Sequence, residues 1–180
     1  TSTKYLPQQM LTEDGADILK NIKKVSAGKN HTIVLSDDGI AYSVGYNGYG
    51  QLGVGDIKMR YVPVKMLDSE GNAVTDIKDI SANGNMSMVS VKPETITDTS
   101  GNTSIVAGIY VAGYNNYGQL FTENNVAQKF LTKVQEDKNI IAMASTSNAT
   151  NQTSAIADDM GLVYTVGYNG NGEMGDDTTN

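Results

Sequence analysis

His31 is the only histidine of the 180-residue chain, and the chain has no cysteine. A Ser/His/Asp triad or a histidine-based metal cluster would therefore have to be assembled around this single side chain. Nothing near it in the sequence supports such a site. His31 follows a predicted turn and begins a predicted strand, which favours a buried structural histidine bonded to the backbone. We accordingly predict no catalytic residues and no metal site, and hence a protein that is not an enzyme.

Two glycine patterns, Gly48-x-Gly50-x-x-Gly53 and Gly170-x-Gly172-x-x-Gly175, formally match the dinucleotide-binding fingerprint. That fingerprint needs a helix directly after the glycines. The stretch 54–63 contains Gly55 and Pro63 and shows no helical period, and the second match ends at the C-terminus. We interpret the glycines as loop residues with positive φ, and we predict no cofactor.

Three aspartate pairs, Asp37-Asp38, Asp158-Asp159 and Asp176-Asp177, could suggest calcium, which binds hard oxygen ligands. The alternating spacing of a calcium-binding loop is absent. Turn formation and solvation explain the first two pairs, which lie close to glycines. No Asp or Glu lies in an apolar context that would raise its pKa for glycoside hydrolysis.

The charge and hydropathy of the chain exclude two classes of partner. The formal net charge is -7 and Arg60 is the only arginine, so phosphate backbones are poor partners and we predict no nucleic-acid binding. No stretch approaches the roughly 18 consecutive apolar residues that a membrane span needs, so we also predict no membrane insertion.

Tyrosines and asparagines on recurring loops have the chemistry of a recognition surface. Tyrosine offers a large contact area at a low entropic cost, and asparagine adds adaptable hydrogen bonds. Alternatively, the first tyrosine of each loop packs between repeats and the asparagine after it ties the loop to the backbone. The candidate ligand-binding residues are Tyr46, Asn47, Tyr49, Tyr114, Asn116, Tyr117, Tyr168 and Asn171.

These loops belong to an internal repeat. One nine-residue pattern of Gly, Tyr, Asn and Gln begins at Gly45, Gly113 and Gly167. In the flanks, the segment Tyr5 to Leu11 matches Tyr61 to Leu67 at an offset of 56 residues. The repeated unit is thus about 50 to 70 residues long, and we divide the chain into repeats 1–58, 59–126 and 127–180. The glycines assigned a structural role are Gly45, Gly50, Gly113, Gly118, Gly167 and Gly172.

The clearest repeat predicts four short strands separated by turns, over Ile22 to Ala27, His31 to Leu35, Ile40 to Val44 and Tyr61 to Leu67. Pro63 marks the last of them as an outer edge, where a missing N–H is tolerated. Four short strands per unit are typical of a propeller blade. We therefore predict an all-β fold of three consecutive four-stranded blades. Insertions fall at 92–104, between strands two and three of the second repeat, and at 147–151, in the first turn of the third.

The first repeat resembles the regulator of chromosome condensation repeat, through the run Val25 to Leu35, Asp38-Gly39, and Gly45-x-Asn47-x-x-Gly50-Gln51-Leu52-Gly53. The later repeats depart from that pattern. Met86 and Thr153 replace His31, Asn83 replaces Gly28, and Val44, Ala112 and Val166 stand where the family often has tryptophan. These blades are therefore similar to a divergent branch. The resemblance implies a seven-bladed parent propeller, and most relatives act through protein contacts.

Three blades cannot close a ring, so an isolated slice would leave two apolar blade faces without partners. The two ends of the chain lie at the same phase of the repeat, which is what a slice of a longer array would show. We expect either further blades in the parent chain or association of copies through the open faces.

Our leading functional hypothesis is a non-enzymatic binding module that presents loops to a protein or glycan. We expect it within a larger bacterial protein that is extracellular or on the cell surface, with the cytoplasm as the alternative. A second hypothesis is a structural spacer in an adhesin-like stalk. A third is guanine-nucleotide exchange, which needs a charged face and an inserted wedge that we can match to no residue here.

Overall fold

The computed structural model describes residues 3–97, 99–101, 103–135, 138–146 and 151–179. All regular structure in this part of the chain is β-strand, as the sequence predicts, and we number the strands β1 to β13 in chain order. Among these residues there is no helix of the length and hydropathy needed to cross a bilayer.

The first sheet contains four antiparallel strands in the order β1-β2-β3-β4. Each strand begins and ends within two residues of its predicted limits, because Gly28, Gly39 and the glycine-rich loop end the apolar runs as turns. Pro63 lies in β4, which is the outer edge of the sheet, as predicted. The strands are β1 (Ile22–Ala27), β2 (His31–Ser36), β3 (Ala41–Gly45) and β4 (Arg60–Lys65).

The second sheet repeats this arrangement in the order β10-β9-β6-β5. Its strands are β5 (Ile77–Asn83), β6 (Met86–Val91), β9 (Ile109–Gly113) and β10 (Gln128–Val134). The insertion predicted at 92–104 lies between β6 and β9, where it forms a separate two-stranded hairpin of β7 (Glu94–Thr97) and β8 (Thr103–Val106). The place of this insertion agrees with the prediction from the sequence, whereas its strand pairing was not predicted.

The third sheet has three strands in the described residues, β11 (Ile140–Ser145), β12 (Thr153–Asp158) and β13 (Val163–Gly167). It is therefore one strand short of the predicted blade. Of the insertion predicted at 147–151, residues 147–150 lie outside the described residues. The repeat limits at 58/59 and 126/127 fall in the loops before β4 and β10. The outer strand of each of the first two sheets therefore belongs to the repeat that follows.

Two apolar clusters hold the three sheets together face to face. Because side chains alternate along a strand, Met88 and Val89 of β6 point to opposite faces of the second sheet. Val89 packs towards Ile33 and Leu35 of the first sheet, and Met88 packs towards Ile156 of the third. All five side chains are at most 1% exposed, so water is excluded from the faces between the sheets, as it is between propeller blades.

Candidate recognition surface

The glycine-rich loops leave β3, β9 and β13, which are the third strands of their sheets, so all three loops lie at the same end of the array. A buried asparagine closes each loop from within. The side-chain oxygens of Asn47, Asn115 and Asn169 accept hydrogen bonds from the backbone N–H groups five residues later, each at 2.9 Å. The Asn47 amide also donates to Asp56 O at 2.9 Å. Asn47 has no exposed surface, so its side chain stabilises the loop and does not face a ligand in solvent.

A second side chain, which is not among the predicted site residues, fixes the middle of each loop. Gln51 Oε1 accepts from the Tyr49 N–H at 3.0 Å, and Gln119 Oε1 accepts from the Tyr117 N–H at 3.0 Å. In the third loop Glu173 takes the same place, accepting from the Asn171 N–H at 2.8 Å. The recurrence of Gln or Glu at one place in the nine-residue pattern was the available signal for this role.

Glycine is required where each loop begins. Gly45, Gly113 and Gly167 have φ of 114°, 109° and 116°, in the region that side chains disfavour. A Cβ at Gly45 would lie 2.6 Å from the carbonyl oxygen of Asn30, in the neighbouring turn. Gly50, Gly118 and Gly172, in the middle of the loops, also have positive φ.

The loops bring five tyrosines together in one continuous row, which we call the tyrosine row. Its rings follow the order Tyr46, Tyr49, Tyr114, Tyr117, Tyr168, with centroids 6.2, 5.1, 6.4 and 5.6 Å apart. Interplanar angles of 64–80° make every contact edge-to-face. Aromatic rings prefer this geometry because the positive edge of one ring meets the negative face of the next. Two of the four contacts join neighbouring loops, so the row crosses from blade to blade.

The tyrosine row is partly buried and partly open. Tyr46 and Tyr49 are 39% exposed and Tyr117 is 40% exposed, whereas Tyr114, which lies between Tyr49 and Tyr117, and Tyr168, at the end of the row, are half-buried. Partial burial raises the pKa of the Tyr114 hydroxyl. Asn116 and Asn171 are exposed on the same loops, with the Asn171 amide held by Glu173 at 2.9 Å. The tyrosines, Asn116 and Asn171 are therefore accessible to solvent and remain candidate ligand-binding residues.

His31 lies beneath the loops, 4% exposed, where it joins two blades. Its Nε2 is 3.0 Å from Ser87 Oγ of the second sheet, and that hydroxyl donates to Gln51 O at 2.6 Å. A Cβ at Gly28 would lie 2.2 Å from His31 Cε1, so the ring occupies space that only glycine leaves free. Burial lowers the pKa of His31 to about 4, so the imidazole is neutral near pH 7.

The described residues contain no group of three or more histidine, cysteine or acidic side chains placed to bind a metal ion. The glycine pattern at 48–53 leads into an irregular loop and then β4 rather than into a helix. Asp56 in that loop is paired with Arg60 at 2.9 Å, and the hydrogen bond from this guanidinium lowers the pKa of the Asp56 carboxyl. What these loops offer chemically is aromatic and hydrogen-bonding contact.

The family model of the regulator of chromosome condensation (RCC1) repeat matches residues 22–51 and a second such model matches residues 38–90. The two models overlap and together match residues 22–90, so this part of the chain carries RCC1 repeats. This RCC1-repeat chain is 27% identical over 175 residues to the ultraviolet-B receptor UVR8 of Arabidopsis thaliana, covering 97% of the chain and 35% of the receptor. It is 28% identical over 156 residues to the probable E3 ubiquitin-protein ligase HERC4 of Homo sapiens, covering 87% of the chain and 13% of HERC4.

Solved structures give the same fold. Prp20p from Saccharomyces cerevisiae matches with a TM-score of 0.65 at 19% identity, over 91% of the RCC1-repeat chain and 36% of Prp20p. Human WBSCR16 matches with a TM-score of 0.62 at 20% identity, over 82% of the chain and 33% of that protein. Prp20p binds Gsp1p and histones, and Kap60 binds yeast RCC1 (Prp20) in a further structure. The RCC1-repeat chain thus spans about a third of the length of UVR8, Prp20p and WBSCR16.

Proposed function

We propose that this chain is a non-enzymatic binding module that contacts a protein partner through the tyrosine row. One observation carries the proposal: five rings from three successive loops form a single surface, and three of these rings keep 39–40% of their area exposed. Tyrosine is enriched at protein interfaces because its ring gives apolar contact while its hydroxyl keeps a hydrogen-bonding partner.

The loops that carry the row are held in place before any partner arrives. Buried Asn47 and Asn115 and buried Gln51 and Gln119 bond to loop backbone, and each ring packs against the next. Little conformational entropy is then lost when a partner binds, which favours affinity. A row built for stability alone would not need three rings open to solvent.

The charge of the chain favours one class of protein partner. With a net charge of -7 the chain repels polyanions and attracts basic surfaces over long range. Prp20p, which has the same fold, binds histones among its partners. We therefore expect a neutral or basic protein surface rather than a phosphate-rich one.

The proposal predicts that Tyr49→Ala combined with Tyr117→Ala weakens partner binding at least tenfold, since buried interface tyrosines contribute about 2 kcal/mol or more at hot spots. A photo-reactive phenylalanine analogue at position 117 would first identify the partner in an extract of the source cells. The affinity of the purified partner is then measured by calorimetry. Tyr61→Ala is the matched control, because Tyr61 is 82% exposed on the edge strand β4, outside the row.

Affinity that falls equally with Tyr61→Ala, or that is unchanged by the double variant, would contradict the proposal. Replacing the same two tyrosines by Phe separates ring contact from hydroxyl contact. A glycan array probed in parallel tests the alternative class of partner. Glycan binding that depends on Tyr49 and Tyr117 would assign the tyrosine row to a glycan. No specific partner in either assay would favour a structural spacer.

A further inference from the structure

A cleft of about 490 Å³ lies at the end of the second sheet opposite to the tyrosine row. It lies between the loop 68–76, which precedes β5, and the start of the hairpin of β7 and β8. Tyr110 lines it from the start of β9, whereas the loop that carries Tyr114 leaves the other end of that strand. The cleft is therefore separate from the proposed recognition surface.

A lysine without an ionic partner lines this cleft. Lys133 of β10 pairs directly with Tyr110 of β9, so the two side chains point to the same face of the sheet. Lys133 is half-buried, and it makes no ion pair in the part of the chain that the structure describes. A half-buried ammonium without a carboxylate attracts a negatively charged group of a ligand.

The other walls of the cleft carry three carboxylates, those of Asp68, Asp76 and Glu94. Asp68 Oδ1 accepts hydrogen bonds from the Glu70 and Asn72 N–H groups at 3.0 and 2.9 Å, which fixes this carboxylate. Asp76 is 3.9 Å from the Lys92 ammonium, but both side chains are mostly exposed, so this contact is weak. These walls attract a positively charged group.

The remaining part of the cleft is apolar. Val74 is 6% exposed, and Val91 and Tyr110 pack against the apolar cluster between the first and second sheets. Ala73 and Pro93 complete this part of the lining. A ligand that also has a hydrocarbon group gains apolar contact here.

The combination of charges decides between classes of ligand. Three carboxylates repel a phosphate or another polyanion. Among the described residues no group of acidic side chains is placed to bind a metal ion, and Lys133 repels a cation. A small molecule that carries both an ammonium and a carboxylate satisfies every wall of the cleft.

We propose that this cleft binds a small zwitterion of the amino-acid type with an aliphatic side chain, as a free amino acid or a dipeptide. Lys133 binds its carboxylate, and Asp68 and Glu94 bind its ammonium. The volume of the cleft lies within the range of about 300–1,000 Å³ that small-molecule sites occupy.

The inserted hairpin distinguishes this cleft from its equivalent in the first sheet. There Tyr42 pairs with Lys65, and both line a depression beside the loop 12–19. In the first sheet residues 37–40 turn directly from β2 into β3, whereas in the second sheet the insertion adds Pro93 and Glu94 as a further wall. Lys65 is exposed and Lys133 is half-buried. The insertion thus encloses a feature that the repeat leaves open.

Backbone hydrogen bonds hold the walls of the cleft in place. The Leu131 N–H of β10 donates to Leu67 O at 2.8 Å, which fixes the start of the loop 68–76. The Lys92 N–H donates to Asp76 O at 2.9 Å, which fixes the end of this loop to the base of the hairpin. Little conformational entropy is therefore lost when a ligand binds.

Calorimetry on the full chain with leucine and with leucylleucine tests the proposal, and a Kd below about 1 mM is expected for one of them. The tighter of the two assigns the cleft to a free amino acid or to a dipeptide. N-acetylleucine lacks the ammonium and leucine methyl ester lacks the carboxylate. Each blocked compound is expected to bind at least about tenfold more weakly than leucine, because it leaves one side of the cleft unpaired.

Variants of the cleft test the residues. Lys133→Met and Glu94→Gln are each expected to weaken the tighter ligand at least about tenfold, since each removes one charge that binds it. Lys65→Met is the matched control for the lysine, at the equivalent place in the first sheet. Glu70→Gln is the control for the carboxylate, because Glu70 is exposed on the same loop and does not line the cleft. Both controls are expected to bind within about twofold of the wild type.

Methyl NMR of the wild type locates the ligand even if a variant fails to fold. The methyl signals of Val74 and Val91 are expected to shift during the titration, and those of Val25, which is 62% exposed on β1, are not. Absence of binding by either compound up to about 10 mM would overturn the proposal. Equal binding of the blocked compounds, equal effects of Lys65→Met and Lys133→Met, or shifts confined to other valines would also overturn it.

Discussion

His31 should make the stability of this protein depend on pH in a window where few other groups titrate. Burial lowers its pKa to about 4, whereas an unfolded histidine has a pKa of about 6.5. Between these values the unfolded state binds more protons than the folded state. The stabilising contribution of neutral His31 is therefore complete above pH 6.5 and is lost as the pH falls towards 4.

The size of the effect follows from the same two values. One pKa unit corresponds to 1.36 kcal/mol, so the full shift amounts to about 3 kcal/mol below pH 4. Between pH 7.5 and pH 5 the expected loss in the free energy of unfolding is about 2 kcal/mol. Asp56 titrates below this window, because its hydrogen bond from Arg60 lowers the pKa of the carboxyl. Because His31 is the only histidine of the chain, a variant that lacks it isolates this contribution.

Urea unfolding at a series of pH values measures this loss, with circular dichroism or the fluorescence of the ten tyrosines as the signal, since the chain has no tryptophan. His31→Met is the comparison variant, because methionine stands at the equivalent position, Met86, and is fully buried there. The wild type should lose about 2 kcal/mol more than the variant between pH 7.5 and 5. An equal loss in both proteins, or an NMR titration that places the His31 pKa above 6, would refute the reasoning.

Two further predictions concern the residues that hold the loops and blades. Asn47→Ala should lower the free energy of unfolding by about 1–3 kcal/mol, because it leaves the Leu52 N–H and Asp56 O without their buried partner. Asn116→Ala, on an exposed loop position, should change the free energy of unfolding by less than about 0.5 kcal/mol. Thermal melting of the two variants measures the difference. Gly28→Ala should lower the free energy of unfolding of the wild type by about 1–3 kcal/mol, because the new methyl group overlaps the His31 ring. The same substitution should lower it much less in a His31→Met background. Additive losses in this double-mutant cycle would contradict the contact.

The first sheet was predictable from the sequence because its signals are local. Turn glycines and alternating apolar residues between them determine where short strands start and stop, whatever the sheets later pack against. The hairpin of β7 and β8 was not predictable in this way. Residues 92–104 are polar and contain Pro93, and the pairing of Glu94 with Val106 depends on two strand ends meeting across a turn.

The third sheet shows that a blade takes its strands from two consecutive repeats. Repeat counting assigns four strands to every copy, but an outer strand comes from the residues after the glycine-rich loop, as Arg60–Lys65 does in the first sheet. In the third copy the described residues after that loop form no strand.

The sequence alone determined the repeat, the all-β class and the end of the array on which the tyrosines lie, since each of these depends on residues close together in the chain. Tertiary structure alone decided that the rings touch and that His31 bonds to Ser87 of the next sheet. Tyr49 and Tyr114 are far apart in sequence, and their 5.1 Å contact exists because two apolar clusters stack the blades in register. Distances between repeats are set by the packing of whole sheets, which no local pattern records.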